Sequence, residues 1–134
     1  NKTIILIDDS LVRGTTCYKI VRMLYESGAK KVHVRIACPE IKYPDFYGVD
    51  MPTKEELLAY KKNNEEMRDY IKAESLEFLS LDGLYNALIG EKRNSNYPQF
   101  SDHYFTGDYP IAPSDNLKGY KVKQLSLLSS NSNS

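Results

Sequence analysis

Two adjacent carboxylates, Asp8 and Asp9, stand directly before a short hydroxyl-bearing loop with a single glycine, Ser10 to Thr16. This is the stretch of the chain whose residue types and spacing are suited to chemistry. Backbone amides around Gly14, together with the first amides of a following helix, have no intrahelical acceptor and can hold a phosphate group. The hydroxyls of Ser10, Thr15 and Thr16 add donors to the same anion. An acidic pair alone is a weak signal, since two neighbouring acids at the end of a strand are often a solvated edge or part of another fold's metal site. The pair followed by this loop is far more specific.

The elements that must position these residues are legible on either side. Ile4, Ile5, Leu6 and Ile7 form a continuous apolar run with β-branching, predicting a strand buried on both faces of a parallel sheet. After the loop, Cys17, Ile20, Val21 and Leu24 recur with helical spacing, Thr15 or Thr16 is placed to cap that helix, and Gly28 to end it. Strand, acidic pair, loop and helix put Asp8 and Asp9 at the carboxyl edge of an open α/β sheet, where such folds bind ligands. Val32, Val34, Ile36 and Cys38 alternate with Lys31, His33 and Arg35, predicting a second strand over Lys31 to Cys38 with His33 on its polar, surface side.

Downstream the pattern continues with interruptions. Residues 39–52 hold three prolines and one glycine and read as a long irregular segment, rich enough in aromatics to argue against disorder. Thr53 with Glu56, and Asn63 with Glu66, match the capping-box spacing of two helices, the first carrying Leu57 and Leu58 and the second Met67 and Ile71. Leu76 to Leu79 predicts a short third strand. Ser80 opens a helix with Leu81, Leu84, Tyr85 and Leu88 on one face, closed by Gly90. Residues 91–116 read as mostly irregular. The chain thus divides into a domain portion over 1–116 and an extension over 117–134, which becomes a Ser/Asn tail of disordered composition from about Ser126.

Composition excludes several classes. With 18 basic and 18 acidic residues the formal net charge is zero, so no electrostatic footprint for nucleic acid or a membrane surface stands out. No apolar run approaches the ~20 residues of a spanning helix. Two cysteines and two histidines at these spacings support neither a disulfide framework nor a zinc site, and Cys17 and Cys38 read as buried thiols of a reducing cytoplasm.

The string DDSLVRGTT over Asp8 to Thr16 resembles the phosphoribosylpyrophosphate (PRPP) signature of type I phosphoribosyltransferases, with Arg13 standing where most members carry threonine. In full it resembles one branch, the glutamine PRPP amidotransferases. YGVDMP (Tyr47 to Pro52) and YFTGDYP (Tyr104 to Pro110) extend the resemblance over roughly Lys2 to Pro110. It implies an open, mostly parallel α/β sheet with flanking helices, of which this chain would be the C-terminal portion. It implies the synthesis of 5-phosphoribosylamine from PRPP and glutamine-derived ammonia, the first committed step of purine synthesis. Asp8 and Asp9 would contact the ribose hydroxyls, stabilise the positive charge left as pyrophosphate departs, and bind Mg²⁺ directly or through water. Ser10, Val12, Arg13, Gly14, Thr15 and Thr16 would cradle the 5′-phosphate, while Asp50, Met51 and Pro52 would line the interdomain route for ammonia. Some members hold an iron–sulfur cluster through a cysteine in the proline-rich segment and others near the C-terminal end. The matching places here read Asp45 and SNYPQFSDHYF, so the cluster-free type is expected.

Two other classes fit part of the chain. A response-regulator receiver domain also opens with a hydrophobic strand, an acidic pair and an amphipathic helix, and Asp50 lies near the distance of its phospho-acceptor. That template has no use for the RGTT loop, and Leu76–Leu79 leads into Ser80 rather than the lysine it requires. A PRPP-binding regulator without turnover would share the loop but not the interdomain strings. Because the ligand-bearing strand comes almost at once and only two more follow, the expectation is a piece of a longer protein. Its N-terminal glutaminase domain would lie elsewhere, the full-length form would be a homo-oligomer, and this stretch would be inactive alone.

Overall fold

The computed structural model describes residues 1–47 and 53–111. The strands β1 (Thr3–Asp8), β2 (Lys31–Ile36) and β3 (Ser75–Phe78) are joined by helical crossovers: α1 (Thr15–Glu26) links the first two, and α2 (Leu58–Lys61) with α3 (Asn64–Ile71) precede the third. Helix α4 (Leu81–Ile89) and the single turn α5 (His103–Thr106) follow. The sheet is parallel with order β1-β2-β3, and Leu6, Val34 and Leu76 lie in register across it. This is the α/β arrangement expected from the alternation of strand and helix signals. It is not a receiver domain, in which the first strand lies between the second and third; here β2 is central.

Side chains alternate across a strand, so one face of the sheet collects Ile4, Leu6, Val32, Val34, Ile36, Leu76 and Phe78. Cys17 and Val21 of α1 and Met67 and Ile71 of α3 pack on that face and close the core. The opposite face carries Ile5, Ile7, His33, Arg35, Ser75 and Glu77. Ile5 and Ile7 are 66% and 72% exposed while Ile4 and Leu6 are half-buried, so β1 is covered on one face only, not buried on both as its composition predicts. Among the described residues no element covers that second face.

The caps divide between agreement and correction. Asn63 and Glu66 form the reciprocal box, each backbone N–H donating to the other's side chain at 2.9 Å, and Ser80 Oγ accepts from Gly83 N–H at 3.0 Å to start α4. Gly90 ends α4 in the left-handed region. Of that helix's expected apolar face only Tyr85 is fully buried, and Leu88 stays 60% exposed. Thr53 and Glu56 form no box. Lys54–Glu56 is a 3₁₀ turn, and Leu57 is extended and fully buried before α2 begins. The hydrophobic demand of Leu57, together with the attachments of Glu56 and Leu58 described below, overrides the local helix signal. α1 is capped by Gly14 rather than by either threonine, and β2 stops at Ile36 before Cys38. Asp50, Met51, Pro52 and the whole 117–134 extension lie outside the described residues.

Candidate functional site

β1 ends at Asp8, whose carbonyl accepts Ala37 N–H at 2.9 Å and so stays in register with the sheet. The chain then leaves the sheet. Asp9 N–H donates to Asp8 Oδ1 at 3.0 Å, and Ser10 Oγ donates to Asp9 Oδ1 at 3.1 Å, which folds the acidic pair into a tight local turn. Leu11 is buried in the core and anchors the middle of the loop. Val12 C=O accepts Leu58 N–H at 2.9 Å. The unbroken run Asp8 to Cys17 lines a cleft of about 320 Å³ at the carboxyl edge of the sheet.

Gly14 has φ 75°, the left-handed region that side chains disfavour. A Cβ there would lie 2.7 Å from Leu58 Cδ2 and 3.0 Å from Tyr70 Cε1. The glycine is therefore required both by its conformation and by the two residues backing the loop. Helix α1 starts immediately: its first hydrogen bond is Tyr18 N–H to Gly14 C=O at 2.9 Å, so the amides of Thr15, Thr16 and Cys17 precede the helical ladder. Their N–H groups and the positive end of the helix dipole favour an anion at the loop.

The structure thus brings Asp8, Asp9, Ser10, Val12, Arg13, Gly14, Thr15 and Thr16 together in one cleft. Arg13 is the cation among these lining residues, and its guanidinium pairs with Glu56, Nε to Oε2 at 2.7 Å. Neither cysteine is an available nucleophile. Burial, aided by the charge of Asp8, pushes the Cys17 thiol up to about 11. Burial, with Asp9 next, does the same to Cys38, also to about 11. His33 lies on the polar side of β2, half-buried, with Nδ1 2.8 Å from Ser75 Oγ.

Sequence reasoning missed the residues that back this loop, Glu56, Leu58 and Tyr70, and a second buried polar cluster. In that cluster His103 Nε2 meets Asp45 Oδ1 at 2.8 Å, and Asp102 accepts from Tyr85 Oη at 2.7 Å and from Arg93. Lys42 and Tyr43 N–H donate to Tyr104 C=O at 2.9 and 3.1 Å, so the segment after β2 and the segment around α5 order each other. None of these pairs has a local pattern that could announce it.

The parallel sheet, the acidic pair at its carboxyl edge and the glycine-capped loop opening α1 define part of a type I phosphoribosyltransferase domain. No family model matches the chain. An amidophosphoribosyltransferase of Rhizobium etli is 53% identical over 131 residues, 97% of this chain and 26% of that protein. One of Staphylococcus aureus is 51% identical over 121 residues, 90% and 24% respectively. Among solved structures, the glutamine PRPP amidotransferase of B. subtilis complexed with ADP and GMP superposes with a TM-score of 0.71 at 46% identity, covering 79% of this chain and 23% of that one. The chain belongs to the amidophosphoribosyltransferase family, matching the C-terminal part of its members, and spans about a quarter of the length of the curated relatives it matches.

Proposed function

We propose that this chain is the PRPP-binding portion of an enzyme that forms 5-phosphoribosylamine, with ammonia replacing the pyrophosphate of PRPP. The observation that carries this reading is the single cleft formed by Asp8 to Cys17, which sets two carboxylates beside a glycine-capped helix start. The 5′-phosphate sits against the loop Ser10 to Thr16, with Val12, Arg13 and Gly14 shaping it and Thr15 and Thr16 donating hydroxyl and amide hydrogens. Asp8 and Asp9 accept from the ribose hydroxyls, and their fixed negative charge stabilises the cationic ring as pyrophosphate leaves. The loop contributes position rather than proton transfer.

Mg²⁺ fits this donor set. Asp8 and Asp9 are hard oxygen donors, and among the described residues no cluster of three His, Cys, Asp or Glu side chains gathers. Asp8 and Asp9 would hold the cation, with substrate oxygens and water completing its ligand set. When bound, it neutralises charge on the departing pyrophosphate. Ammonia is supplied by a glutaminase domain outside this chain, reached past Asp50, Met51 and Pro52, in a cytoplasmic homo-oligomer. The cluster-free type is the reading, since the places that carry the cluster cysteines in other members hold Asp45 and SNYPQFSDHYF here, with no cysteine.

The test is Asp8→Asn with Asp9→Asn in the full natural protein. PRPP-dependent turnover should vanish while glutamine hydrolysis without PRPP stays at its basal rate. A double variant with full turnover would overturn the reading.

A further inference from the structure

We propose that Glu56 is a positioning residue that holds the Arg13 guanidinium in place at the phosphate loop; this rests on the reading of that loop as the PRPP site. Arg13 lines a cleft that also contains Asp8 and Asp9, so the balance of charge felt by a phosphate there depends on where the guanidinium stands. Both Nε and Nη2 of Arg13 are within hydrogen-bonding distance of one Glu56 oxygen, Oε2. A guanidinium has five N–H donors in a fixed fork. The Nε–H donates to Glu56 Oε2 and Nη2 lies against the same oxygen, so the fork is held along that edge. The carboxylate therefore fixes one edge of the group and leaves the opposite edge to a ligand.

Glu56 can do this because its own segment is attached to the loop. Its N–H donates to Thr53 C=O at 2.9 Å, closing the 3₁₀ turn. The next residues, Leu57, Leu58 and Ala59, are buried. Leu58 N–H bonds Val12 C=O at 2.9 Å, and the Leu58 side chain backs Gly14. A backbone bridge from Val12 and a side-chain bridge from Arg13 thus reach the same short segment, more than forty residues along the chain. The two charged side chains are 56% and 47% exposed, so water screens their attraction and the pair adds little to folding. Its consequence is orientation: a long, many-rotamer side chain on an exposed loop is held beside the place where a phosphate binds.

The opposite role would make Glu56 a competitor that keeps Arg13 from the ligand, and the two roles differ in sign. PRPP binding with Mg²⁺ is measured by calorimetry in the full natural protein and in Arg13→Ala, Glu56→Ala, Glu56→Gln and the double alanine variant. Arg13→Ala should weaken binding about tenfold and Glu56→Ala about three- to tenfold. The double variant should bind no worse than Arg13→Ala alone, because Glu56 acts only through the guanidinium. Glu56→Gln, whose Oε1 still accepts from the fork, should recover part of the loss, and KM for PRPP should rise with kcat little changed. Unchanged or tighter binding in Glu56→Ala, or additive losses in the double variant, overturns the proposal. If wild type binds PRPP and Arg13→Ala does too with equal affinity, the site reading stands and this inference fails. If wild type does not bind PRPP, both fail.

Discussion

His103 Nε2 lies 2.8 Å from Asp45 Oδ1, and the two side chains are 2% and 0% exposed although 58 residues separate them. Ser101 Oγ lies 3.0 Å from the other ring nitrogen, and the rings of Tyr47, Tyr104 and Tyr109 surround the imidazole. This pair is the polar centre of a small satellite cluster that docks the C-terminal described segment onto the stretch after β2. Removing either partner takes a hydrogen bond from the other in a water-poor site, which costs about 1–3 kcal/mol. Asp45→Ala and His103→Ala should each lower the urea midpoint and reduce the near-ultraviolet tyrosine signal. The double variant should lose less than the two together. Midpoints equal to wild type would show that the pair contributes nothing.

Asp102 gives the cluster a dependence on acid. Burial opposes its ionisation, but hydrogen bonds from Arg93 and Tyr85 and the charge of Arg93 outweigh that and hold its carboxyl below the ordinary carboxylate range. A depressed folded-state pKa contributes stability above the unfolded-state value, about 3.9, which is lost as pH falls through the lower folded-state value. The pair is nearly buried, at 9% and 4% exposure, so Asp102→Ala should destabilise by about 3 kcal/mol. It should also flatten the acid limb of stability plotted against pH. A variant with the same acid limb as wild type would contradict this assignment.

Cys17 and Cys38 should resist alkylation. With both thiols pushed up to about 11, about one thiol in a thousand is ionised at pH 8. Iodoacetamide labelling of the native protein should be slow there, rise toward pH 11, and become fast at pH 8 only on denaturation. The stability tied to these neutral thiols is complete below the unfolded-state value and declines as pH rises through the folded-state value. Rapid labelling of either cysteine in the native protein at pH 8 would show that its thiol is not suppressed.

Gly14 and Gly28 separate two costs of a positive φ. Gly28 has φ 94° with open space around the missing Cβ, whereas Gly14 faces Leu58 Cδ2 at 2.7 Å. Gly28→Ala should cost about 1–2 kcal/mol from backbone strain alone and leave PRPP binding unchanged. Gly14→Ala adds overpacking and should cost about 2–4 kcal/mol. It should also shift the loop and abolish PRPP binding. Equal stability losses in the two variants would mean that Leu58 and Tyr70 yield freely.

What the sequence determined by itself was whatever rests on neighbours within a few residues. The apolar run of β1, the spacing of Cys17 and Val21 on α1, the Asn63–Glu66 box and the Ser80 cap all depend on contacts one helical turn or one strand step away, and each formed as read. The residues of the loop Asp8 to Thr16 line one cleft because they are consecutive. Only the tertiary structure decided which way Ile5 and Ile7 face water, that Gly14 is backed by Leu58 and Tyr70, and that Glu56 reaches Arg13 instead of capping a helix. It also decided that Asp45 meets His103 and Arg93 meets Asp102. Glu56 shows the physical reason: a carboxylate three residues after a threonine satisfies the capping pattern, but a guanidinium brought beside it by the fold is the stronger partner. A pairing across 43 residues leaves no periodic trace in the chain.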